Sequence, residues 1–189
     1  MITKSIGSAD NLLGKVFKQH GINLIYGESG IGKTISTIKA LNSEDIIPIL
    51  LDFDDNESPE TNDCSYIHVN GNTALDDPEL VLPTGAVIIV DTWAHYCIAN
   101  KEANKLLFLN RLVEATNTVI LVAHNKDIAT KKDIPDVDQV IVNHLSSKLW
   151  LERKGIYKKE VGHIHSILHI YKCRGYKGPI SIANWMRDK

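Results

Sequence analysis

No stretch of this sequence is long and apolar enough to cross a bilayer, and its first ten residues lack the charged-then-apolar order of a secretory signal. A cytoplasmic protein with no membrane partner is therefore expected. Cysteine is scarce: Cys64, Cys97 and Cys173 are odd in number and show no ligand spacing, which excludes a disulfide framework and a zinc knuckle and leaves reduced thiols. A strong charge of either sign is also missing. The 21 Lys and Arg against 23 Asp and Glu give a net charge of −2, which excludes a globally basic nucleic-acid binder. That total hides an asymmetry, because residues 1–123 hold 8 basic against 16 acidic side chains (net −8) and residues 124–189 hold 13 against 7 (net +6). Contact with a polyanion is expected from the C-terminal third. The 189 residues suffice for one domain, 1–189, with a sheet covered by helices on both faces.

What is present is a phosphate-binding pattern. Gly27-Glu28-Ser29-Gly30-Ile31-Gly32-Lys33-Thr34 has the spacing G-x-x-x-x-G-K-T, and it follows the apolar run 22–26 and precedes a helical pattern from Thr34 to Leu41. A triphosphate needs several converging N–H donors and backbone that comes close, which glycines at 27, 30 and 32 permit. The helix that follows presents unsatisfied amides and a favourable dipole to an anion. Lys33 is placed to reach the β- and γ-phosphates, and the Thr34 hydroxyl to ligate Mg²⁺. ATP and Mg²⁺ are the ligands this pattern implies.

Three more continuous apolar runs, 46–51, 86–90 and 118–123, read as parallel strands buried on both faces. The second delivers Asp91 at its tip, a further Mg²⁺ ligand beside Thr34. Residues 101–117 carry a helical stripe of Ala103, Leu106, Leu107, Leu109 and Val113. Only one strand-like piece, 66–69, interrupts the polar stretch 57–83, and His68 reads there as a surface residue. Near the C-terminus 149–153 and 163–174 alternate as strands. Period two puts Ile164, Leu168, Ile170, Lys172 and Arg174 on one face and His163, His165 and His169 on the other, and no neighbouring acids or thiols favour zinc at these histidines. The sum is an α/β domain with a mostly parallel central sheet flanked by helices and an antiparallel C-terminal extension.

The segments 7–14 and 21–27, the phosphate loop, and Lys172-Cys173-Arg174-Gly175 together resemble the RecA/RadA-like ATPase core, including archaeal RadB-like and KaiC-like proteins; the Lys-x-Arg segment is similar to that of DnaB-type helicases. That resemblance implies ATP binding and hydrolysis by a RecA-like fold acting in DNA recombination, repair or replication. It implies water activation by the acid two positions after Asp52, which is Asp54, with Asp55 or Glu57 as substitutes; the same acids also read as a solvated turn. It implies that His124, at the tip of the strand beside Asp91, senses the γ-phosphate, and that Lys172 and Arg174 reach a neighbouring subunit's γ-phosphate in a homo-oligomer. A salt-bridged or solvated surface pair is the other reading of those two cations. Residues 126–132 would contact single-stranded DNA, or form a solvated loop. No aromatic residue is interleaved there, so no sequence readout is expected. The resemblance suggests an accessory or paralogue role beside a recombinase or replication partner, without the separate N-terminal DNA-binding domain of full recombinases. Two other classes share these features: a nucleotide-dependent interaction module with little hydrolysis, suggested by Asp where Glu is usual, and a small-molecule phosphotransferase, disfavoured because 128–138 has no arginine for a lid.

Overall fold

The computed structural model describes residues 9–53, 64–68, 82–99, 104–126, 134–157, 163–173 and 180–187. In chain order it contains α1 (Ala9–Phe17), β1 (Gly21–Gly27), α2 (Lys33–Asn42), β2 (Ile49–Asp52), β3 (Ser65–His68), β4 (Val87–Asp91), α3 (Trp93–Ala99), α4 (Lys105–Thr116), β5 (Thr118–His124), α5 (Gln139–His144), β6 (Leu145–Tyr157), β7 (His163–Lys172) and β8 (Ile180–Arg187). The strands form one sheet in the order β3-β2-β4-β5-β1-β6-β7-β8. Pairing is parallel from β3 through to β6 and antiparallel between β6, β7 and β8.

The apolar runs become inner strands because both of their faces are covered. Every residue of β2 and β4 is buried, and all but one in β1 and β5. Alternation along each strand sorts these side chains into two layers. On one face Ile25, Leu50, Ile89, Val122 and Leu149 meet Val16 and Phe17 of α1 and Ile38 and Leu41 of α2. On the other Leu24, Tyr26, Leu51, Val90 and Leu121 meet Trp93 and Tyr96 of α3, Leu109 and Leu112 of α4 and Ile141 of α5. Each such aliphatic side chain contributes about 1.5–3 kcal/mol by leaving water.

A buried polar pair fixes the register in the middle of the sheet. Pairing of β1 with β6 runs Ile22↔Leu145 and then Asn23↔Ser147, skipping Ser146. The Ser147 hydroxyl donates to Asn23 Oδ1 (2.7 Å), Asn23 Nδ2 donates to the Gln19 carbonyl (3.0 Å), and the Ser146 hydroxyl donates to the His20 carbonyl (2.9 Å). Slipping β6 by one residue would separate these partners, and an unpaired buried amide costs about 1–3 kcal/mol.

The structure departs from the sequence reading in several places. Helices α3 and α5 were not expected; both are short, and buried Trp93 and Ile141 pack them against the sheet, α5 without a side-chain cap. Strand β8 was not expected, and β6 begins at Leu145 instead of Leu149. In α4 Leu106, Leu109 and Val113 of the expected stripe pack on the core together with Leu112 and Thr116, whereas Leu107 is 48% exposed and points away, and Ala103 lies outside the described residues. The helix starts at the Asn104 cap, whose side chain accepts from the Leu107 N–H (3.0 Å).

Candidate functional site

The loop between β1 and α2 is built on glycine for two separate reasons. At Gly27 the limit is space: a Cβ there would lie 2.5 Å from the Leu151 carbonyl oxygen of the adjoining strand. At Gly30 and Gly32 the limit is the backbone, with φ of 68° and 91°, the left-handed region that side chains disfavour. Gly32 occupies the N-cap of α2 and supplies no side-chain acceptor, so the first amides of the helix are left uncapped towards the loop. An anion is the natural partner for such a terminus.

Lys33 is only 5% exposed, and its ammonium donates to the Gly27 carbonyl (3.2 Å) and the Glu28 carbonyl (2.8 Å). A buried cation needs such partners, and phosphate oxygens would be stronger ones. On the next residue, Thr34 Oγ1 donates to Asp91 Oδ2 at 2.5 Å, and both side chains are buried. The expected pairing of the Thr34 hydroxyl with the Asp91 carboxylate is therefore present across α2 and β4.

Strand alternation brings two more groups to this side. Leu50, Ile89 and Val122 belong to the layer under α1 and α2, so Asp52, Asp91 and His124, each two positions further on, rise on that same face. Asp52 is fully buried and in register with Asp91. His124 is in register with Gly27, and β5 lies between β4 and β1. Gly27, His124, Asp91 and Asp52 thus mark four neighbouring strand tips on one face of the sheet. A hydroxyl and two carboxylates are hard oxygen donors of the kind Mg²⁺ takes, so Thr34 and Asp91, with Asp52 beside them, fit that ion. Sequence reasoning passed over Asp52 in favour of the acids after it, although it ends an apolar run just as Asp91 does.

His95 was also missed. Its Nδ1 shares a 2.9 Å hydrogen bond with the Thr92 hydroxyl, immediately after Asp91. Beneath these tips Tyr96 stacks between Trp93 and Phe108, with centroids 5.0 and 4.2 Å away, and Phe53 meets it edge-on. Burial pushes the Tyr96 phenol up to about 12 and the adjoining Cys97 thiol up to about 11. Neither ionises near neutral pH, so Cys97 is no nucleophile there.

The segment expected to contact DNA is rooted on the His124 strand. Lys126 N–H donates to the Ile134 carbonyl and Asp136 N–H to the His124 carbonyl, both at 2.8 Å, which ties the segment 134–136 to the end of β5. Residues 127–132 of that segment lie outside the described residues, as do Asp54, Asp55, Glu57 and Arg174. Lys172 is described and exposed, but not on the expected face. Ile170 pairs with Leu149 and Lys172 with Lys148, so Tyr171 is skipped and strict period two breaks there. Residues directly opposite share a face, which puts Lys172 on the side of Lys148, away from Leu168 and Ile170. In register Lys148 also lies beside Leu24, three residues before Gly27. Lys172 is therefore about 10 Å back along the strands and two strand spacings away from its own loop.

A parallel sheet with a glycine loop feeding a helix N-terminus, a threonine bonded to a strand-tip aspartate, and an antiparallel extension beyond β6 together make up the RecA-like P-loop fold, and that is the fold of this chain. Among solved structures the RadB recombinase is similar over 96% of this chain and 94% of its own, with a TM-score of 0.58 and 17% identity. The flagellar accessory protein FlaH from Methanocaldococcus jannaschii is similar over 96% and 95%, with a TM-score of 0.57 and 14% identity. No protein-family model matches the chain, and no curated protein matches it. Among the described residues no helix is long and apolar enough to cross a membrane.

Proposed function

We propose that this chain is a Mg²⁺-dependent ATPase working as a single RecA/RadA-like domain in DNA recombination, repair or replication. The observation that carries the reading is the Thr34–Asp91 hydrogen bond at the uncapped start of α2. In this reading the amides of residues 28–34 bind the phosphate oxygens, and Lys33 exchanges its loop carbonyls for the β- and γ-phosphates. Thr34 and Asp91 hold Mg²⁺, which when bound offsets the charge that develops on the transferring phosphoryl group. Asp54 accepts the proton of the attacking water, and His124 contacts the γ-phosphate from the next strand tip. Lys172 and Arg174 act on a neighbouring copy, and residues 126–132 contact the phosphates of single-stranded DNA.

The test is the ATPase rate against protein concentration, with and without single-stranded DNA, for wild type and Arg174→Ala. Turnover per chain should rise with concentration and with DNA. Arg174→Ala should bind nucleotide but turn over slowly, and mixing it with a Lys33→Ala chain should restore part of the activity. Normal turnover by Arg174→Ala alone would refute the action in trans, and no calorimetric heat from ATP with Mg²⁺ would refute the whole reading. A second reading, a nucleotide-dependent interaction module with little hydrolysis, is favoured by the accessory role in the name of one fold neighbour. It predicts ATP binding with turnover that DNA leaves unchanged.

A further inference from the structure

The antiparallel extension carries an aromatic face that the ATP site does not use. Trp150 packs partly buried against the layer of Trp93 and Ile141, His169 stacks on it (centroids 4.6 Å apart), and Tyr171 extends the group outwards, 6.3 Å from His169 and 6.4 Å from Trp150, with all three ring planes within 19–20° of one another. The register explains the grouping. Trp150 lies directly opposite His169, and Tyr171 follows two positions on, at the point where pairing is skipped. The reverse side of the same strands bears Leu149, Leu151, Leu168 and Ile170, all buried against the α1 and α2 layer. Tyr171 is 39% exposed.

Cations border this face. Lys148 Nζ stands 5.4 Å from the ring centroids of both Tyr26 and Tyr171, and Lys172 lies opposite Lys148 in register and is exposed. The carboxylate of Glu152 also borders this face, 2.8 Å from His169 Nε2. Cross-strand aromatic pairs also stabilise sheets without binding anything, but that role does not call for two lysines beside a half-open tyrosine. A polyanion is favoured over an apolar partner because this third of the chain holds 13 basic against 7 acidic residues. A single-stranded nucleic acid offers both things the face can use, flat bases for the rings and phosphates for the lysines.

We infer that Tyr171, backed by the Trp150–His169 pair and flanked by Lys148 and Lys172, stacks a base of single-stranded nucleic acid, at a site separate from residues 126–132. The inference rests on the nucleic-acid part of the proposed function and is independent of ATP hydrolysis. Stacking of this kind is tolerant of sequence, so thymidine and adenosine homopolymers should both bind.

The test is fluorescence anisotropy of labelled oligothymidylate at low salt, with wild type, Tyr171→Ala, Tyr171→Phe and the pair Lys131→Ala/Lys132→Ala. Tyr171→Ala should weaken binding roughly five- to a hundred-fold, the loss that alanine substitution at a stacking platform produces. Tyr171→Phe, which keeps the ring, should bind within about twofold of wild type. A second measurement uses the unmodified protein: irradiation with a 5-iodouracil oligonucleotide should crosslink peptides from β6 or β7. Wild-type affinity in Tyr171→Ala together with loss in the double lysine variant would overturn the inference and leave the loop reading standing, as would crosslinks confined to 127–133. Absence of any binding by wild type would overturn both. A change in sedimentation state of Tyr171→Ala at unchanged oligonucleotide affinity would make the face a protein interface and overturn the inference as well.

Discussion

Gly27→Ala tests the link between the sheet and the phosphate loop. The added Cβ would meet the Leu151 carbonyl oxygen at 2.5 Å and two further Leu151 atoms at 3.4 Å. Contacts under 3.0 Å are essentially never tolerated, so β1 and β6 must part locally by about half an ångström or more. The obstacle is backbone held in register, Gly27 opposite Leu151, and it cannot swing aside as a side chain would. Overpacking of this kind costs about 1–3 kcal/mol. For a chain of this length each kcal/mol lowers the melting midpoint by roughly 2–4 °C, so Gly27→Ala should melt about 2–12 °C below wild type. The displaced peptide also begins the loop proposed to bind phosphate. Loss of one charge-assisted hydrogen bond, about 1.5–3 kcal/mol, should weaken ATP binding by roughly ten- to a hundred-fold. Gly30→Asn is the matched control for the melt. Its φ of 68° suits asparagine, and a Cβ there meets nothing within 4 Å, so the midpoint should stay within about 3 °C. Circular dichroism melts and calorimetry with ATP and Mg²⁺ give both quantities. Wild-type melting and affinity in Gly27→Ala would refute the steric argument.

Two other predictions concern groups away from the loop. Asn23→Val should cost about 1–3 kcal/mol in denaturant unfolding by stranding the Ser147 hydroxyl, and adding Ser147→Ala should recover part of that loss; strict additivity of the two would show that they do not interact. Stability should fall as pH rises above 9. Unfolding releases the Cys97 thiol and Tyr96 phenol, raised by burial to about 11 and about 12, to their ordinary values of 9.0 and 10.0. The unfolded state then binds fewer protons, so the stabilisation is complete below pH 9 and is lost towards pH 11–12. Melting midpoints from pH 8 to 10.5 should decline less steeply for Tyr96→Phe, and equal slopes would remove Tyr96 from the explanation.

Local spacing made the loop legible, because the conformation of Gly27 to Thr34 depends on its own glycines and on the helix it starts. The placing of Asp91 and His124 at neighbouring strand ends was legible for a related reason: an apolar run that ends in a polar residue is a strand tip, and parallel strands bring their tips together. Asp52 fits the same rule and was overlooked when the acids after it drew the assignment. Helices α3 and α5 carry almost no local signal, since segments as short as Trp93–Ala99 and Gln139–His144 are held by packing that no window of sequence displays. The skipped pairing at Tyr171 is invisible for another reason. Period two holds within one strand's sequence, whereas a bulge belongs to a pair of strands, and it moved Lys172 to the opposite face. The aromatic face has the same origin, with Trp150 on one strand and His169 and Tyr171 on the next.

The sheet also limits how its two ends can cooperate. Gly27, Asp91 and His124 lie at the tips towards which the parallel strands run, while Lys148, Lys172 and Tyr171 lie towards their beginnings. Three residues of strand rise and two strand spacings put Lys172 about 14 Å from Gly27 within one chain, and the side chain projects from the face of Lys148 and Tyr26, whereas Asp91 and His124 rise on the opposite face. A lysine cannot turn through the sheet to cover that gap. If Lys172 acts on a γ-phosphate at all, the phosphate must belong to another copy stacked against the extension. Nucleic acid lying on Trp150 and Tyr171 would then lie close to that junction, and ATP-dependent affinity for single strands would appear only at concentrations where copies associate.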